Sequence, residues 1–103
     1  MKLRVLSAAE AEIAEAYHYL EMQSPGLGGR FLDDLVETLA SVENQPLRFS
    51  RLETLSDDAP YRRALLKVFR YAVIFEIEAA EIIIVAVSHT SREPNYWLSR
   101  RPH

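Results

Sequence analysis

The sequence predicts an α+β fold: an N-terminal strand and an antiparallel helical hairpin packed on one face of an antiparallel sheet, in the order β-α-α-β-β-β. Three observations carry this expectation. Two stretches with apolar residues at helical spacing lie on either side of Ser24-Pro25. Phe69, Tyr71, Val73, Phe75 and Ile77 alternate with Arg70, Ala72, Ile74 and Glu76, a period of two. Ile82 to Val87 is apolar on both faces, as a central strand would be.

Each element follows from local chemistry. Leu3 and Val5 alternate with Lys2 and Arg4, which predicts a short strand. Ser7-Ala8-Ala9-Glu10 has capping-box form, so Ser7 is expected to cap the first helix. Ala9, Ile13, Ala16, Tyr17 and Leu20 share one face of that helix, and Glu12, Glu15 and His18 fall on the other. Ser24 then suits an N-cap and Pro25 a first helical position. Leu27, Phe31, Leu35, Leu39 and Val42 line the second helix, with Arg30, Asp33, Asp34, Glu37 and Ser41 opposite. Asn44-Gln45-Pro46 stops it. Helices joined this tightly form a hairpin. Residues 46–60 read as a loop ending in Ser56-Asp57-Asp58-Ala59-Pro60, and strands are expected at about 61–67, 70–77 and 82–88. The turn Glu78-Ala79-Ala80-Glu81 has no Gly or Asn to define its type. One short helical turn is expected within 95–101. The hairpin must bury its stripe on one sheet face, which leaves the other face and the C-terminal end for function.

Length and composition bound what such a fold can be. The 103 residues fit one domain over 1–103, with 49% hydrophobic and 26% charged residues. With no cysteine, neither disulfides nor thiolate metal sites are possible. No apolar run approaches a membrane span, and the N-terminus is too short in its apolar part for a signal peptide. A cytoplasmic protein without membrane contact is expected. Charge is split along the chain. Residues 1–60 carry five Lys/Arg against eleven Asp/Glu, and residues 61–103 seven against four. This fits either an acidic helical part and a basic sheet part with different partners, or an unevenly charged solvated surface.

Few motifs suggest catalysis. Gly26-Leu27-Gly28-Gly29 follows a helix and lacks the Lys-Ser/Thr of a phosphate loop; Gly28 on the apolar face instead permits close helix approach. His18, His89 and His103 are far apart with no metal-ligand spacing, and no Ser sits in a nucleophile elbow, so neither metal nor cofactor is expected. Asp33-Asp34 and Asp57-Asp58 read as solvated carboxylates. The basic set is more informative. Arg62, Arg63, Lys67 and Arg70 come from adjacent strands and Arg92, Arg100 and Arg101 from the tail, with Tyr61, Tyr71, Tyr96 and Trp97 interleaved. Such a set suits nucleic acid or an acidic protein, or else is a polar sheet face with interior aromatics. His89 ends the last strand, where it can serve as a general acid or base, or simply as a hydrogen-bonded structural residue.

In order and spacing these pieces resemble the RelE/ParE superfamily of type II toxin–antitoxin toxins from Ala8 to about Arg101. The carriers are Ala16-Tyr17-His18-Tyr19-Leu20, Ser24-Pro25, Arg30-Phe31-Leu32, Tyr61-Arg62-Arg63, Phe69 to Phe75, Val85 to His89, and Arg92-Glu93-Pro94-Asn95-Tyr96-Trp97. The resemblance implies a cognate antitoxin wrapping the toxin, with Leu20, Phe31, Leu35 and Phe75 as antitoxin contacts, a toxin–antitoxin hetero-oligomer, growth arrest and plasmid stabilisation. It leaves two targets. The ParE branch poisons DNA gyrase; Arg62, Arg63, Arg70, His89, Arg92, Tyr96 and Trp97 would then bind the target, with no catalytic residue. The RelE branch cleaves ribosome-bound mRNA; His89 would then be base or acid, Arg63 and Arg92 would steady phosphate, and Tyr96 would support the reaction. A pI near 5.6, Thr90 where the nuclease branch places an arginine, and the His89-x-x-Arg92-x-Pro94 ending favour the ParE branch. A family member that binds antitoxin without toxicity is the remaining alternative.

Overall fold

The computed structural model describes residues 1–52, 55 and 59–100. Ser56-Asp57-Asp58, Arg101 and His103, singled out above, lie outside them. The elements are β1 (Lys2–Val5), α1 (Ser7–Gln23), α2 (Leu27–Asn44), β2 (Tyr61–Leu65), β3 (Tyr71–Glu78) and β4 (Glu81–His89), with 3-10 turns at Pro46–Arg48 and Tyr96–Ser99. The sheet order is β1-β4-β3-β2. β2, β3 and β4 form the expected antiparallel meander, but β1 joins β4 in parallel, Lys2 to Val5 beside Glu81 to Ile84. The sheet is therefore mixed. No described helix is long and apolar enough to cross a membrane.

The hairpin packs on one sheet face as its stripes require. Ala9, Ala16, Phe31, Leu35 and Val42 meet Ala64, Val73, Phe75, Ile82, Ile84 and Val87, with Leu3 and Val5 of β1 alongside. A Cβ on Gly28 would lie 2.7 Å from the Tyr17 ring and 2.8 Å from its carbonyl oxygen. The bare backbone is what lets α1 and α2 touch there.

The opposite face is not left open. Ile74, Ile83, Val85 and Ala86 form a second core with Trp97, and Leu6, Leu52, Leu55, Tyr61 and Tyr96 pack around it. A bulge makes this possible. Ile74 pairs with Ala86 but Phe75 with Ile84, so Val85 is an extra residue on β4. The alternation of β4 shifts by one there: Ile82 and Ile84 face the helices, then Val85 and Ala86 the second core, then Val87 the helices again.

Three local expectations need correction. Ser7 makes no capping bond; Leu6 holds the N-cap position, because its N–H is still bonded to the Ile84 carbonyl at 3.0 Å as an extension of β1. Gly26, not Ser24, is the N-cap of α2, at a φ of 91°. The capping acceptor comes from α1: the Glu21 carboxylate takes the N–H groups of Gly26 and Gly28, each at 2.9 Å. Asp34 is not solvated but 7% exposed. It accepts the N–H groups of Lys67, Val68 and Phe69 at 3.2, 2.8 and 3.0 Å, fastening the β2–β3 connection to α2.

Two measurements check this account. Burial alone would push the Asp34 carboxyl up, but the three N–H donors and the Lys67 charge more than offset it and hold it below the ordinary 3.8. A carboxyl depressed in the folded state stabilises above its unfolded value, and that contribution disappears as pH falls through the folded one. Asp34→Ala should therefore cost roughly 2–4 kcal/mol at neutral pH. Its urea midpoint should also fall less steeply than the parent's below about pH 4. At the β3–β4 turn, Ala79 and Ala80 both sit at positive φ, 50° and 62°. Two such residues are the requirement of a type I′ hairpin, which Asn-Gly meets without strain. Replacing Ala79-Ala80 by Asn-Gly should raise stability by about 1–2 kcal/mol; an unchanged or lower melting temperature would contradict the strain.

Candidate functional site at the end of β4

β4 outruns β1. Pairing with β1 ends at Ile84, while β4 continues to His89. Beyond that point two side chains meet its outward backbone groups. The Glu12 carboxylate accepts the Val87 N–H at 3.0 Å, and the Arg100 guanidinium donates to the Val85 carbonyl at 3.2 Å. Arg100 and Glu12 bind each other through two contacts, at 2.8 and 3.2 Å. The Tyr96 hydroxyl donates to the other Glu12 oxygen. Arg92 stacks on the Tyr96 ring, 3.8 Å from its centroid, with a nitrogen 3.8 Å from Glu12. One carboxylate from α1 thus gathers Arg92, Tyr96 and Arg100. Burial first, then the bond to Glu12 and its charge, push the Tyr96 phenol up to about 12.

His89 stands at the rim. Its Nδ1 lies 3.1 Å from the Ser91 N–H, which it accepts, and 2.7 Å from the Ser91 hydroxyl. The remaining ring proton therefore belongs on Nε2. Its ring stands edge-on to Tyr71, centroids 5.2 Å apart. Arg63, His89, Arg92, Tyr96 and Trp97 surround one pocket of about 100 Å³. Glu12, Tyr19, Tyr71, His89 and Arg92 line a cleft of about 200 Å³ on the helical side. Arg48, Arg51, Arg63 and Leu65 line a groove of about 500 Å³ along β2. Among the described residues no three His, Asp or Glu side chains are grouped so as to hold a metal ion.

The tail residues expected to face a target therefore divide. Arg63, His89 and Arg92 are exposed at one rim, and Tyr96 is half-buried beneath Arg92. Trp97 is 2% exposed and packs edge-on to Tyr61, so it is a core residue rather than a contact. Arg62 is turned to the helical side and donates to the Phe49 carbonyl at 2.7 Å. Arg70 is exposed, and its carbonyl accepts the Thr90 N–H at 2.9 Å. Of the expected antitoxin contacts, Phe31, Leu35 and Phe75 are core residues at 0, 2 and 0% exposure, and only Leu20 reaches the surface. Glu12 is a residue of this site that sequence reasoning placed on the outer face of its helix. Its position three after Ala9 and four before Ala16 does put it on the face those buried alanines share.

The chain matches the sequence profile described as "ParE toxin of type II toxin-antitoxin system, parDE" over residues 3–94. No curated protein sequence matches it. Its fold is similar to that of a chain of the chromosomal ParDE toxin–antitoxin system from P. aeruginosa. That likeness has a TM-score of 0.71 at 20% identity, covering 86% of this chain and 95% of that one. It is also similar to a chain of the RelBE2 toxin–antitoxin complex from Mycobacterium tuberculosis, with a TM-score of 0.61 at 20% identity, covering 85% and 95%.

The geometry at Tyr96 has a direct readout. An ultraviolet difference titration of the parent against Tyr96→Phe should show one phenol ionising at about 12. Because the folded value lies above the unfolded one, the Tyr96 contribution to stability is intact below about pH 10 and declines from there as pH rises through the folded value. An ionisation near 10 would mean that in solution the Tyr96 phenol is neither buried nor bonded to Glu12.

Proposed function

The chain belongs to the ParE toxin family of type II toxin–antitoxin systems, and from that premise we propose that it inhibits DNA gyrase and is neutralised by a cognate antitoxin. Growth arrest, plasmid stabilisation, a toxin–antitoxin hetero-oligomer and a cytoplasmic site of action belong to the same reading. The observation that carries it is the distribution of roles among the polar groups of the tail. Glu12 engages Tyr96 and Arg100, and Ser91 occupies Nδ1 of His89. What faces outward is a rim of cations, Arg63 and Arg92, beside His89. Such a rim suits recognition of a protein surface through carboxylates and carbonyls.

The gathering of Arg63, His89, Arg92 and Tyr96 around one pocket is the observation that favours the second reading, a ribosome-dependent mRNA endoribonuclease. Strand cleavage needs a base, an acid and charge stabilisation. Here Tyr96 remains a phenol at neutral pH, so it would act only as a donor. Nε2 of His89 carries the ring proton and is likewise placed as an acid, and His89 would serve as base only after Nδ1 is released from Ser91.

A supercoiling assay with purified gyrase separates the readings. The full chain should block supercoiling or trap a cleaved complex, and Arg63→Ala with Arg92→Ala should weaken this by roughly tenfold or more. Untouched gyrase, together with mRNA cuts on induction that disappear in His89→Ala, would overturn the proposal in favour of the nuclease.

A further inference from the structure

Glu12 has no direct part in the proposed recognition, yet more of the tail depends on it than on any residue of the rim. Its side chain is only 9% exposed, while that of Arg92 is 53% exposed. A side chain as open as Arg92 on an irregular tail would sample many rotamers. Here it is held twice. Its guanidinium lies over the Tyr96 ring, and the Glu12 charge attracts it from 3.8 Å. The ring itself is fixed through its hydroxyl on Glu12, and Arg100 clamps the same carboxylate to β4. Glu12 therefore acts on Arg92 by two routes, through space and through the ring.

We infer that Glu12 is a positioning residue: from α1 it fixes the aromatic platform that aims the Arg92 guanidinium outward, and it does so without touching the partner. The inference rests on the reading of this rim as target-binding. A planar guanidinium recognises a carboxylate or carbonyl pair only in a narrow range of orientations. Holding it in one of them before binding lowers the ordering cost that association must overcome.

A double-mutant cycle on the full chain tests this with Glu12→Gln, Arg92→Ala and the pair. Gln keeps the size of Glu and an oxygen for the Val87 N–H. Each single change should weaken gyrase inhibition about tenfold, and the double variant should be no weaker than Arg92→Ala alone. Losses that multiply to about a hundredfold in the double variant would overturn the inference, because a purely structural role for Glu12 would act independently of Arg92. An NMR arm requires no target. In Glu12→Gln the Arg92 Nε–H should exchange with solvent several-fold faster while the amides of β3 keep their protection; an unchanged Arg92 signal overturns the inference. Tyr96→Phe, which keeps the ring and loses its hydroxyl bond, should show a smaller shift in the same direction and serves if Glu12→Gln does not fold. Should the parent leave gyrase untouched, the proposed function falls and the NMR arm decides the positioning role by itself.

Discussion

β4 runs from Val85 to His89 with no strand on its β1 side among the described residues, and the backbone groups it turns that way are met by the ion pair of Glu12 with Arg100. Much of the functional end of the molecule depends on this arrangement. A strand edge offers alternating N–H and C=O groups, and each needs a partner when buried. A carboxylate supplies only acceptors and a guanidinium only donors. Together, side by side, they reproduce what a neighbouring strand would present. β1 cannot do this because Leu6 is already the N-cap of α1. The ion pair is thus a consequence of a short first strand followed at once by a helix.

The second constraint is the bulge at Val85. Without the extra residue, the alternation of β4 would carry Val87 and His89 to the face now occupied by Trp97. With it, Val85 and Ala86 both face the second core, and Val87 returns to the helices. His89 consequently stands between the small pocket and the helical-side cleft and borders both. Trp97 closes the face from which His89 has been moved. Large-to-small changes at a buried tryptophan typically cost about 3–5 kcal/mol. Loss of activity in Trp97→Ala would therefore report on the platform beneath the rim rather than on a contact.

How much of this was legible beforehand depended on whether the signal was local. The helix stripes, the period-two run of β3 and the apolar β4 are local patterns, and the structure follows them. Gly28 was legible too, because a glycine on an apolar helix face has few other reasons to be there. Residues whose partners lie far along the chain were not legible. Asp34 and Glu12 read as polar-face residues, since nothing nearby in sequence announces the Lys67–Phe69 backbone or Arg100. The bulge was hidden because Ile82 to Val87 is apolar at every position, so no break in pattern marks a shift of phase. The tail aromatics were left open between a partner-facing set and interior residues. Only the geometry separates Trp97, which fills a core, from Arg92, which stands above it.

The charge division along the chain takes a different meaning in this light. An acidic first part and a basic last part suggested either two surfaces for two partners or an unevenly charged solvated surface. Yet the acids of the helices and the cations of the sheet and tail already meet within the molecule: Glu12 with Arg92 and Arg100, and Glu37 with Lys67. The exposed Glu37–Lys67 pair is worth little. The Glu12 cluster differs, because removing one member of a largely buried pair leaves the other without compensation. Such a cluster is poor at adding stability but suited to enforcing one arrangement, since this placement of the tail satisfies the carboxylate and both backbone groups together. Part of the charge asymmetry is therefore internal complementarity between residue 12 and the last residues described. What remains for partners is the smaller set of cations that this arrangement leaves facing outward around His89.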